Sequence, residues 1–536
     1  MSDVELLRQQ LRERGYLSHG IERWFALDPW SSRTFWQELL LVAAKAAALI
    51  ALFGALPPAV VMLVRNYPLQ VLETAALYLS YASVVFVWGF LFVVLAALII
   101  KVRPALPIDT PRALLAISLG SGAILLAPFA FWWWRFDTAP SLAELLAGGT
   151  AVAIAFLFSS LVVSAALLSF SIHELHRIPT LHQRSRGTPM AVAAVVLIAM
   201  LFVPALTERE QASQAPTMVV TSPTTIRVAL IAVDGLTWEI VQSRPDLIAT
   251  LPHAYRVEAA AGDSAAERWA SLGTGVSTPA HGVRAIEGVR FRGGSHVIQQ
   301  ISRADLVLLD AAPLIGLARR EPLPPTVRRR DYVWEILATR GVSAAAVNWW
   351  TTADSQEGIL QIAGPESVFS EARGEPLRLD LVATSRFLQL VERHQPRFAT
   401  VYLPALDVIL NRMPMDQSAQ LTASIRALDG VVNAIALMKA HGYEIIVAGL
   451  PGERQTGAAY LGATFPVDGV ATSWDLAPTL LDLFRFPASQ EMAGHSRLSE
   501  TPQPRIVSYG SRIDPEGSPV MNRDYYENLR SLGYIR

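Results

Sequence analysis

The sequence contains no cysteine, and this absence excludes disulfides, thiolate nucleophiles and cysteine-ligated metals from the chemistry of the protein. Charged residues are also scarce, because they make up 17% of the 536 residues, whereas soluble proteins carry about 25%. The formal net charge of −1 argues against nucleic acid as a main partner. Hydrophobic residues reach 52% and are concentrated before residue 207. We therefore expect a membrane part followed by a soluble part.

Five long apolar segments are predicted to be membrane-spanning helices, each near the roughly 20 residues that cross the hydrocarbon layer. They cover residues 38–64, 71–100, 112–134, 143–171 and 189–206. We assign residues 36–206 to a five-helix transmembrane domain. An N-terminal arm at 1–35 precedes it, with no cleavable signal peptide expected, and a polar tether at 207–225 follows it.

The distribution of basic residues predicts the topology. Arginine and lysine cluster in the N-terminal arm and in the second and fourth connections, whereas the first and third connections carry only Arg65 and Arg135. Because Lys and Arg mark the cytoplasmic side, we expect a cytoplasmic N-terminus. Five crossings then place the C-terminal domain outside. The predicted location is a bacterial inner membrane, with that domain in the periplasm or at the cell exterior.

Two polar features of the membrane part leave alternatives open. Lys45 lies inside the first span, where an intramembrane charge is a functional candidate, but near a span end it also fits a snorkelling lysine. Lys45 alone supports a channel or transporter function. In the fourth connection, His173, His176 and His182 could bind a metal or be solvated beside arginine.

The soluble domain, residues 226–536, is organised around its first predicted strand. Six consecutive apolar residues at 228–233 indicate a strand buried on both faces, followed by Asp234-Gly235. Strand and helix patterns alternate after it, which predicts an α/β fold with a doubly wound, mostly parallel sheet. Asp234 at the carboxyl edge of that sheet is either a ligand-binding carboxylate or a helix N-cap.

A second group of basic residues flanks a proline-rich bend in this domain. These arginines could meet anionic lipid headgroups or lie in a solvated loop. They are Arg319, Arg320, Arg328, Arg329 and Arg330.

Five motifs resemble the alkaline phosphatase superfamily, in its type I phosphodiesterase/nucleotide pyrophosphatase branch. They are VDGLTWEI at 233–240, WASLGTGVSTPAHGV at 269–283, VWEILATRGVSAAAVNWWTT at 333–352, VYLPALDVILNR at 401–412 and TSWDLAPTLLDLFRFPASQEMAGHSRL at 472–498. The resemblance implies two metal ions held by Asp and His, with a Ser or Thr nucleophile between them. The five preceding spans also resemble bacterial lipid-A phosphoethanolamine transferases and lipoteichoic acid synthases.

Carried over one position at a time, the implied site is degenerate. Asp234 and Asp407 stand at remnant metal-ligand positions. The nucleophile position falls on Ala265, which has no hydroxyl, although Ser264 is next to it. The histidine implied four residues after Asp407 is Asn411.

The remaining implied ligands are also missing. The family's S-D-H-G falls on AGLP at 448–451, and residues 452–473 contain no histidine. His281 matches a family histidine that is not a ligand. The tail at 525–534, YYENLRSLGY, resembles tails of some family members.

Two main hypotheses follow from the degenerate site. In the first, the protein is a membrane-anchored pseudoenzyme without a cofactor, which contacts the lipid bilayer and binds an envelope protein, a glycan or a lipid headgroup. In the alternative, it is an active phosphodiester or sulfate ester hydrolase or a headgroup transferase. Ser264 would then be catalytic, with Zn or Mg on Asp234 and Asp407. If no cation separates the two carboxylates, repulsion and burial beside Leu450 should raise the pKa of at least one.

Overall fold

The computed structural model divides the chain into two compact units. The helical unit comprises Met1–Arg209, Arg290–His296 and Ile301–Arg319, and the α/β unit comprises the remaining residues. The structure describes residues 6, 13, 35–66, 69–102, 111–134, 142–175, 195–201, 225–259, 264–299, 307–453, 455, 457–467, 472–498, 503–512 and 523–535. Most of the predicted N-terminal arm, nearly all of the tether and the candidate histidines His176 and His182 lie outside these residues.

Long apolar helices build the helical unit, because a chain in hydrocarbon must satisfy its backbone hydrogen bonds internally. They are α1 Phe35–Gly54, α2 Leu56–Asn66, α3 Val71–Val102, α4 Pro111–Trp134 and α5 Leu142–Leu175. Helices α1 and α2 together form the first span, Leu39–Asn66. Residues 195–201 are helical within the predicted fifth span, and the rest of that span lies outside the described residues.

Five helices of the described chain are long and apolar enough to cross a membrane, and four of them belong to the helical unit. The fifth is Gln417–Ala440 in the α/β unit. It buries one stripe that includes Leu428, Val431 and Ile435, while Arg426 and Asn433 are exposed. This helix is therefore amphipathic and packs on its own domain.

An ion pair joins two helix ends of the helical unit. Arg65 at the end of α2 lies 2.7 Å from the Glu144 carboxylate at the start of α5, and both side chains are buried. The end of the first span and the start of the fourth therefore lie together, as four spans of alternating direction require.

The α/β unit is built on an eight-stranded sheet in the order β2-β11-β10-β1-β9-β6-β8-β7. The five strands from β10 to β8 run parallel, and the flanking pairs are antiparallel. This confirms the predicted mostly parallel sheet. The strands are β1 Val228–Asp234, β2 His253–Val257, β6 Ala344–Val347, β7 Ser355–Glu357, β8 Leu360–Ala363, β9 Phe398–Leu403, β10 Glu444–Leu450 and β11 Ala459–Ala463.

Two small sheets and a set of helices complete the described structure. The small sheets pair β4 Ile298–Gln299, β3 Glu287–Phe291 and β5 Ala318–Pro322, and separately β12 Ala488–Ser489 with β13 Arg505–Ile506. The remaining α-helices are α6 Trp238–Gln242, α7 Pro245–Thr250, α8 Ala265–Thr274, α9 Thr278–His281, α10 Ala312–Leu314, α11 Val333–Thr339, α12 Pro365–Ala372, α13 Pro376–His394, α14 Ala405–Asp407, α15 Gln417–Ala440, α16 Leu476–Leu483 and α17 Arg523–Ser531. Two π-helices, Val307–Ala311 and Val408–Arg412, and two 3-10 helices, Pro325–Val327 and Ser473–Asp475, lie between them.

Candidate functional site

The sheet brings the two predicted carboxylates together. Asp234 is the last residue of β1, and Asp407 lies in α14, directly after the adjacent strand β9. Because the two strands are parallel, their carboxyl ends share one edge, which is where α/β sheets place ligand chemistry. Both side chains are completely buried.

Two glycines allow the close backbone approach at this edge. Gly235 has a φ of 83°, and a Cβ there would lie 2.8 Å from the backbone nitrogen of Asp407. A Cβ on Gly452 would lie 1.9 Å from Asp407 Oδ1. The second distance is far inside van der Waals contact, so a side chain at Gly452 would displace the Asp407 carboxylate.

The Asp407 carboxylate is saturated by protein donors. Its Oδ1 accepts hydrogen bonds from Asn411 Nδ2 at 2.8 Å and from the Glu453 backbone N–H at 2.9 Å. Its Oδ2 accepts from Arg412 Nε at 2.6 Å. A short, charge-assisted bond of this kind is among the stronger polar contacts in proteins. Asp407 therefore already has a cation, and that cation is an arginine.

A π-helical turn places this arginine. Val408–Arg412 is a π-helix, closed by a hydrogen bond from the Met413 N–H to the Val408 carbonyl at 3.0 Å. The wider turn brings Arg412, five residues after Asp407, back over the carboxylate. Single π turns of this kind occur frequently at functional sites.

The C-terminal tail covers the guanidinium. The Arg412 side chain is only 2% exposed, and its Nη1 also bonds to the Glu453 carboxylate. Its guanidinium carbon lies 4.0 Å from the centre of the Tyr534 ring, a cation–π contact. Tyr534 in turn packs edge-on against Trp350 and Phe369. The tail motif that the sequence left without a role therefore closes this side of the site.

Asp234 is held much more loosely. Its Oδ2 accepts a hydrogen bond from the Tyr402 hydroxyl at 2.8 Å, and Arg268 lies 4.0 Å from its Oδ1. This Oδ1 has no hydrogen-bond donor within the described part of the chain. Burial, followed by the charge of Asp407, raises the pKa of Asp234 to about 6.

This shift agrees with the prediction for the pair, although burial rather than repulsion is its main cause. Leu450, which is paired with Asp234 in the sheet register, is 1% exposed and contributes to that burial.

Ser264, the candidate nucleophile of the enzyme hypothesis, is the N-cap of α8. Its hydroxyl accepts from the Glu267 N–H at 3.0 Å and donates to the Arg284 carbonyl at 2.9 Å. Both contacts are structural. Ala265, which stands at the family's nucleophile position, is the first residue of α8 and is completely buried. A catalytic role of Ser264 stays a prediction.

His281 is a buried structural residue. Its Nδ1 accepts from the Val283 N–H at 3.1 Å, so its Nε2 carries the proton and donates to the Ser271 hydroxyl at 2.9 Å. Burial, followed by the charge of Arg284, lowers the pKa of His281 to about 3. It is therefore neutral at physiological pH, and both of its ring nitrogens are engaged in hydrogen bonds within the domain.

The arginines at the proline-rich bend divide into two groups. Arg328 is 1% exposed and forms a bidentate ion pair with Glu335, at 2.6 and 2.7 Å. The interpretation as a solvated loop is therefore wrong for Arg328. That interpretation used only the neighbouring prolines, whereas the ion pair with Glu335 accounts for the burial. Arg330 pairs with Glu491 at 2.7 Å, whereas Arg319 is exposed.

The donors at the site do not fit the two-metal centre that the resemblance implies. Within the described ranges, no group of three or more His, Asp or Glu side chains could hold a metal ion. Both oxygens of Asp407 are occupied by protein donors, and Asp234 offers a single free oxygen. One carboxylate oxygen does not supply the three or four protein ligands that zinc takes.

Sequence reasoning missed the two arginines of the site. Arg268 and Arg412 each stand beside one of the two carboxylates. A signal for Arg412 was present, because a basic residue directly follows the Asn411 that replaces a ligand. The role of Arg268 had no such signal, since nothing in the sequence indicates that α8 brings Arg268 to 4.0 Å from Asp234 Oδ1.

Comparison with known families gives a match in this region. The family model of the type I phosphodiesterase / nucleotide pyrophosphatase matches residues 228–449. No curated protein sequence matches the chain.

The chain is similar to several solved structures. Lipooligosaccharide phosphoethanolamine transferase A from Neisseria meningitidis is 12% identical, with 82% of this chain and 95% of that chain covered and a TM-score of 0.31. Phosphonoacetate hydrolase from Sinorhizobium meliloti is 10% identical at a TM-score of 0.30, and the match covers 45% of this chain. This chain spans 60% of the length of that hydrolase. Murine ectonucleotide pyrophosphatase / phosphodiesterase 5 is 15% identical at a TM-score of 0.29, with 42% and 56% covered.

The fold and the family match concern the same part of the chain. The α/β unit has a mostly parallel sheet with two carboxylates at its carboxyl edge. Residues 228–449 of this unit match the family model of the type I phosphodiesterase / nucleotide pyrophosphatase, and a membrane-helix region precedes them. The resemblance predicted from the sequence is thereby confirmed.

Proposed function

We propose that the α/β unit is a pseudoenzyme: a non-catalytic binding domain that the helical unit holds at a membrane. One observation carries this proposal. The guanidinium of Arg412 lies 2.6 Å from Asp407 Oδ2, as a metal cation would. The chain therefore supplies its own cation where the family resemblance implies a metal ion.

An arginine can replace the charge of a metal ion but not its chemistry. A guanidinium has no open coordination position, and it is protonated at all physiological pH values. It therefore cannot bind and activate a hydroxyl nucleophile as zinc does. Here it is also enclosed by Glu453 and Tyr534, so a substrate cannot reach it without moving the tail. The arrangement stabilises the fold and supplies no nucleophile.

The proposed ligands are those of an extracytoplasmic surface, namely an envelope protein, a glycan or a lipid headgroup. Orientation follows from the basic-residue pattern, and one contact of the helical unit supports it. His296 bonds to Glu73, which directly follows the first connection. Four spans would return the chain to the N-terminal side at residue 175, so this contact supports one more crossing before residue 290. The predicted fifth span provides that crossing, in a bacterial inner membrane.

The alternative is an active hydrolase or headgroup transferase with an altered site. The unpartnered Oδ1 of Asp234 favours it, because a buried acceptor without a donor is the kind of group that a hard cation such as Mg²⁺ binds. The hydroxyl of Ser264 counts against it, since both of its hydrogen bonds serve the helix cap.

Metal content and hydrolysis of the purified full chain in detergent distinguish the two functions. We expect well under one zinc or magnesium per chain after dialysis. We also expect no turnover of phosphodiester, phosphomonoester or sulfate ester substrates with added Zn²⁺ or Mg²⁺. Stoichiometric metal, or a turnover that Asp234→Asn abolishes, would establish the altered-site enzyme instead.

A reporter fused after Arg536 tests the orientation separately. A reporter that works only outside the cytoplasm should be active there, and a cytoplasmic reporter should be silent. The opposite pattern would contradict the predicted fifth crossing and the extracytoplasmic location of the α/β unit. It would not affect the proposal about catalysis.

A further inference from the structure

Two segments that lie within the α/β part of the sequence belong to the helical unit. They are Arg290–His296 and Ile301–Arg319, the second described from residue 307. The first contacts α3 directly. The His296 N–H donates to Glu73 Oε1 at 2.7 Å, and His296 Nδ1 lies 2.9 Å from Glu73 Oε2. Gly294 permits this approach, because a Cβ there would lie 2.9 Å from the same carboxylate.

This contact indicates the level along the membrane helices at which the segment 290–296 lies. Glu73 lies in the first turn of α3, at the start of the span Val71–Ile99. Leu72, beside Gly293, is 53% exposed, as a lipid-facing side chain of a span would be. The segment 290–296 therefore lies at the level where this span passes from water into lipid.

The second segment carries an exposed apolar tip. The π-helix Val307–Ala311 packs against α3, and the chain then turns through α10. Three large apolar side chains between residues 314 and 317 are exposed: Leu314 by 86%, Ile315 by 68% and Leu317 by 51%. Soluble surfaces rarely expose a contiguous group of this kind.

Basic residues border this tip. The Arg292 N–H donates to the Leu317 carbonyl at 3.0 Å, and its guanidinium lies beside Gly316. Arg292 and Arg319 are both exposed. Apolar side chains bordered by arginine are the composition of segments that bind at an anionic membrane surface, where the basic groups meet phosphate and the apolar groups enter the acyl boundary.

We propose that residues 314–317, the apolar tip, insert into the headgroup–acyl boundary of the bilayer that the helical unit spans. The occupant is lipid, because the tip belongs to the same compact unit as the spans and continues from the lipid-facing start of α3. Leu314, Ile315 and Leu317 enter the acyl boundary, and Arg292 and Arg319 stay at the phosphate level. The proposal is independent of whether the α/β unit is catalytic.

The cysteine-free sequence permits a direct test with single labels. Leu314→Cys in the full chain is labelled with the environment-sensitive fluorophore NBD and reconstituted in vesicles of phosphatidylethanolamine and phosphatidylglycerol. Vesicles that contain nitroxide-labelled lipid then measure contact with acyl chains. Leu381→Cys, at a 65% exposed leucine of the α/β unit, is the matched control. Leu91→Cys, at a 56% exposed leucine within the second span, reports full lipid contact.

We expect blue-shifted NBD emission at Leu314→Cys and nitroxide quenching at least half as strong as at Leu91→Cys, with water-like, unquenched emission at Leu381→Cys. Emission at Leu314→Cys as water-like as that of the control would overturn the proposal. Blue-shifted but unquenched emission would overturn it as well, because protein, from this chain or a second copy, would then cover the tip. Orientation is checked on each sample by protease protection.

Discussion

The two buried carboxylates at the sheet edge of the α/β unit are held in different ways. Asp407 accepts three hydrogen bonds from the chain, one of them from Arg412 at 2.6 Å. Asp234, one strand away, accepts one bond from Tyr402 and has its nearest arginine at 4.0 Å. The fold holds both at the same sheet edge with equal burial, so the difference lies in their partners.

This difference shows two ways in which the fold accommodates a buried carboxylate. One way is a cation from the protein close to the carboxylate, as Arg412 is for Asp407. The other way leaves the carboxylate without a close cation, and its pKa is then raised, to about 6 for Asp234, so that it takes up a proton at mildly acidic pH. The next experiments ask whether the two carboxylates really differ in this way.

The largest effect is expected from Arg412→Met. The change leaves Asp407 and the Glu453 carboxylate without their buried cation, so we expect a loss of about 4 kcal/mol in the free energy of unfolding. Urea titration of the full chain in detergent, followed by tryptophan fluorescence, measures it. Arg268→Met is the matched control and should cost clearly less, because its guanidinium is farther from Asp234. Equal losses would mean that the two carboxylates are not differently compensated.

Removing the tail contact should have the next largest effect. Tyr534→Ala deletes a buried ring that packs on Arg412, Trp350 and Phe369. Large-to-small changes of buried aromatics typically cost about 3–5 kcal/mol, and we expect the lower end because Tyr534 is 8% exposed rather than fully buried. Tyr534→Phe keeps the ring and should retain most of the stability. A neutral Tyr534→Ala would show that the tail does not close the Asp407 side.

Asp234→Asn should stabilise the protein at neutral pH by about 2 kcal/mol, by the same urea titration. The folded-state pKa of about 6 lies above the ordinary aspartate value of 3.8. The folded state therefore binds the proton more tightly, and stability from this group falls as pH rises through that window. The full pKa shift corresponds to about 3 kcal/mol in the free energy of unfolding. The expected gain in the variant is smaller, because Arg268 loses a nearby anion.

The pH dependence is the control for that stabilisation. At pH 7.5 Asp234 is ionised and the advantage of the variant is complete, whereas at pH 4.5 the aspartate is largely protonated in the folded state. The advantage should therefore shrink by about 2 kcal/mol between these pH values. A variant that is less stable than the native chain at pH 7.5 would mean that Asp234 is held as an anion by a cation, as a metal ligand would be.

The sequence was sufficient for the architecture of the α/β unit. Strand β9 occupies residues 398–403, as its apolar run predicts, and Asp234 and Asp407 lie together because parallel neighbours share a carboxyl edge. The short strands β2 and β11 were missed, since they are antiparallel additions at one side of the sheet without a six-residue apolar run. The helix 417–440 shows the converse case, because its composition alone would also suit a membrane span.

The site itself could be predicted only in part. Missing ligands are visible in a sequence, because each falls at a defined motif position. The arginines beside the two carboxylates are not visible in this way. Arg412 reaches Asp407 through a π turn, and Arg268 approaches Asp234 only in the folded domain. The inserted segment 301–319 was likewise assigned to the soluble domain, because chain order gives no sign that it joins the helical unit.

The smallest expected effect concerns the hydroxyl nearest to the nucleophile position. Ser264→Ala removes the N-cap of α8, where Ser264 accepts from the Glu267 N–H, and such changes typically cost about 1 kcal/mol. Ser264→Asp retains an acceptor for the cap and should recover most of that loss, although it cannot act as a hydroxyl nucleophile. If Ser264 is only a helix cap, the only expected change is a lower free energy of unfolding for Ser264→Ala. If the native chain turns over a phosphate or sulfate ester and both variants abolish that turnover, Ser264 is a nucleophile. The interpretation of Asp234 and Asp407 as non-catalytic residues would then be wrong.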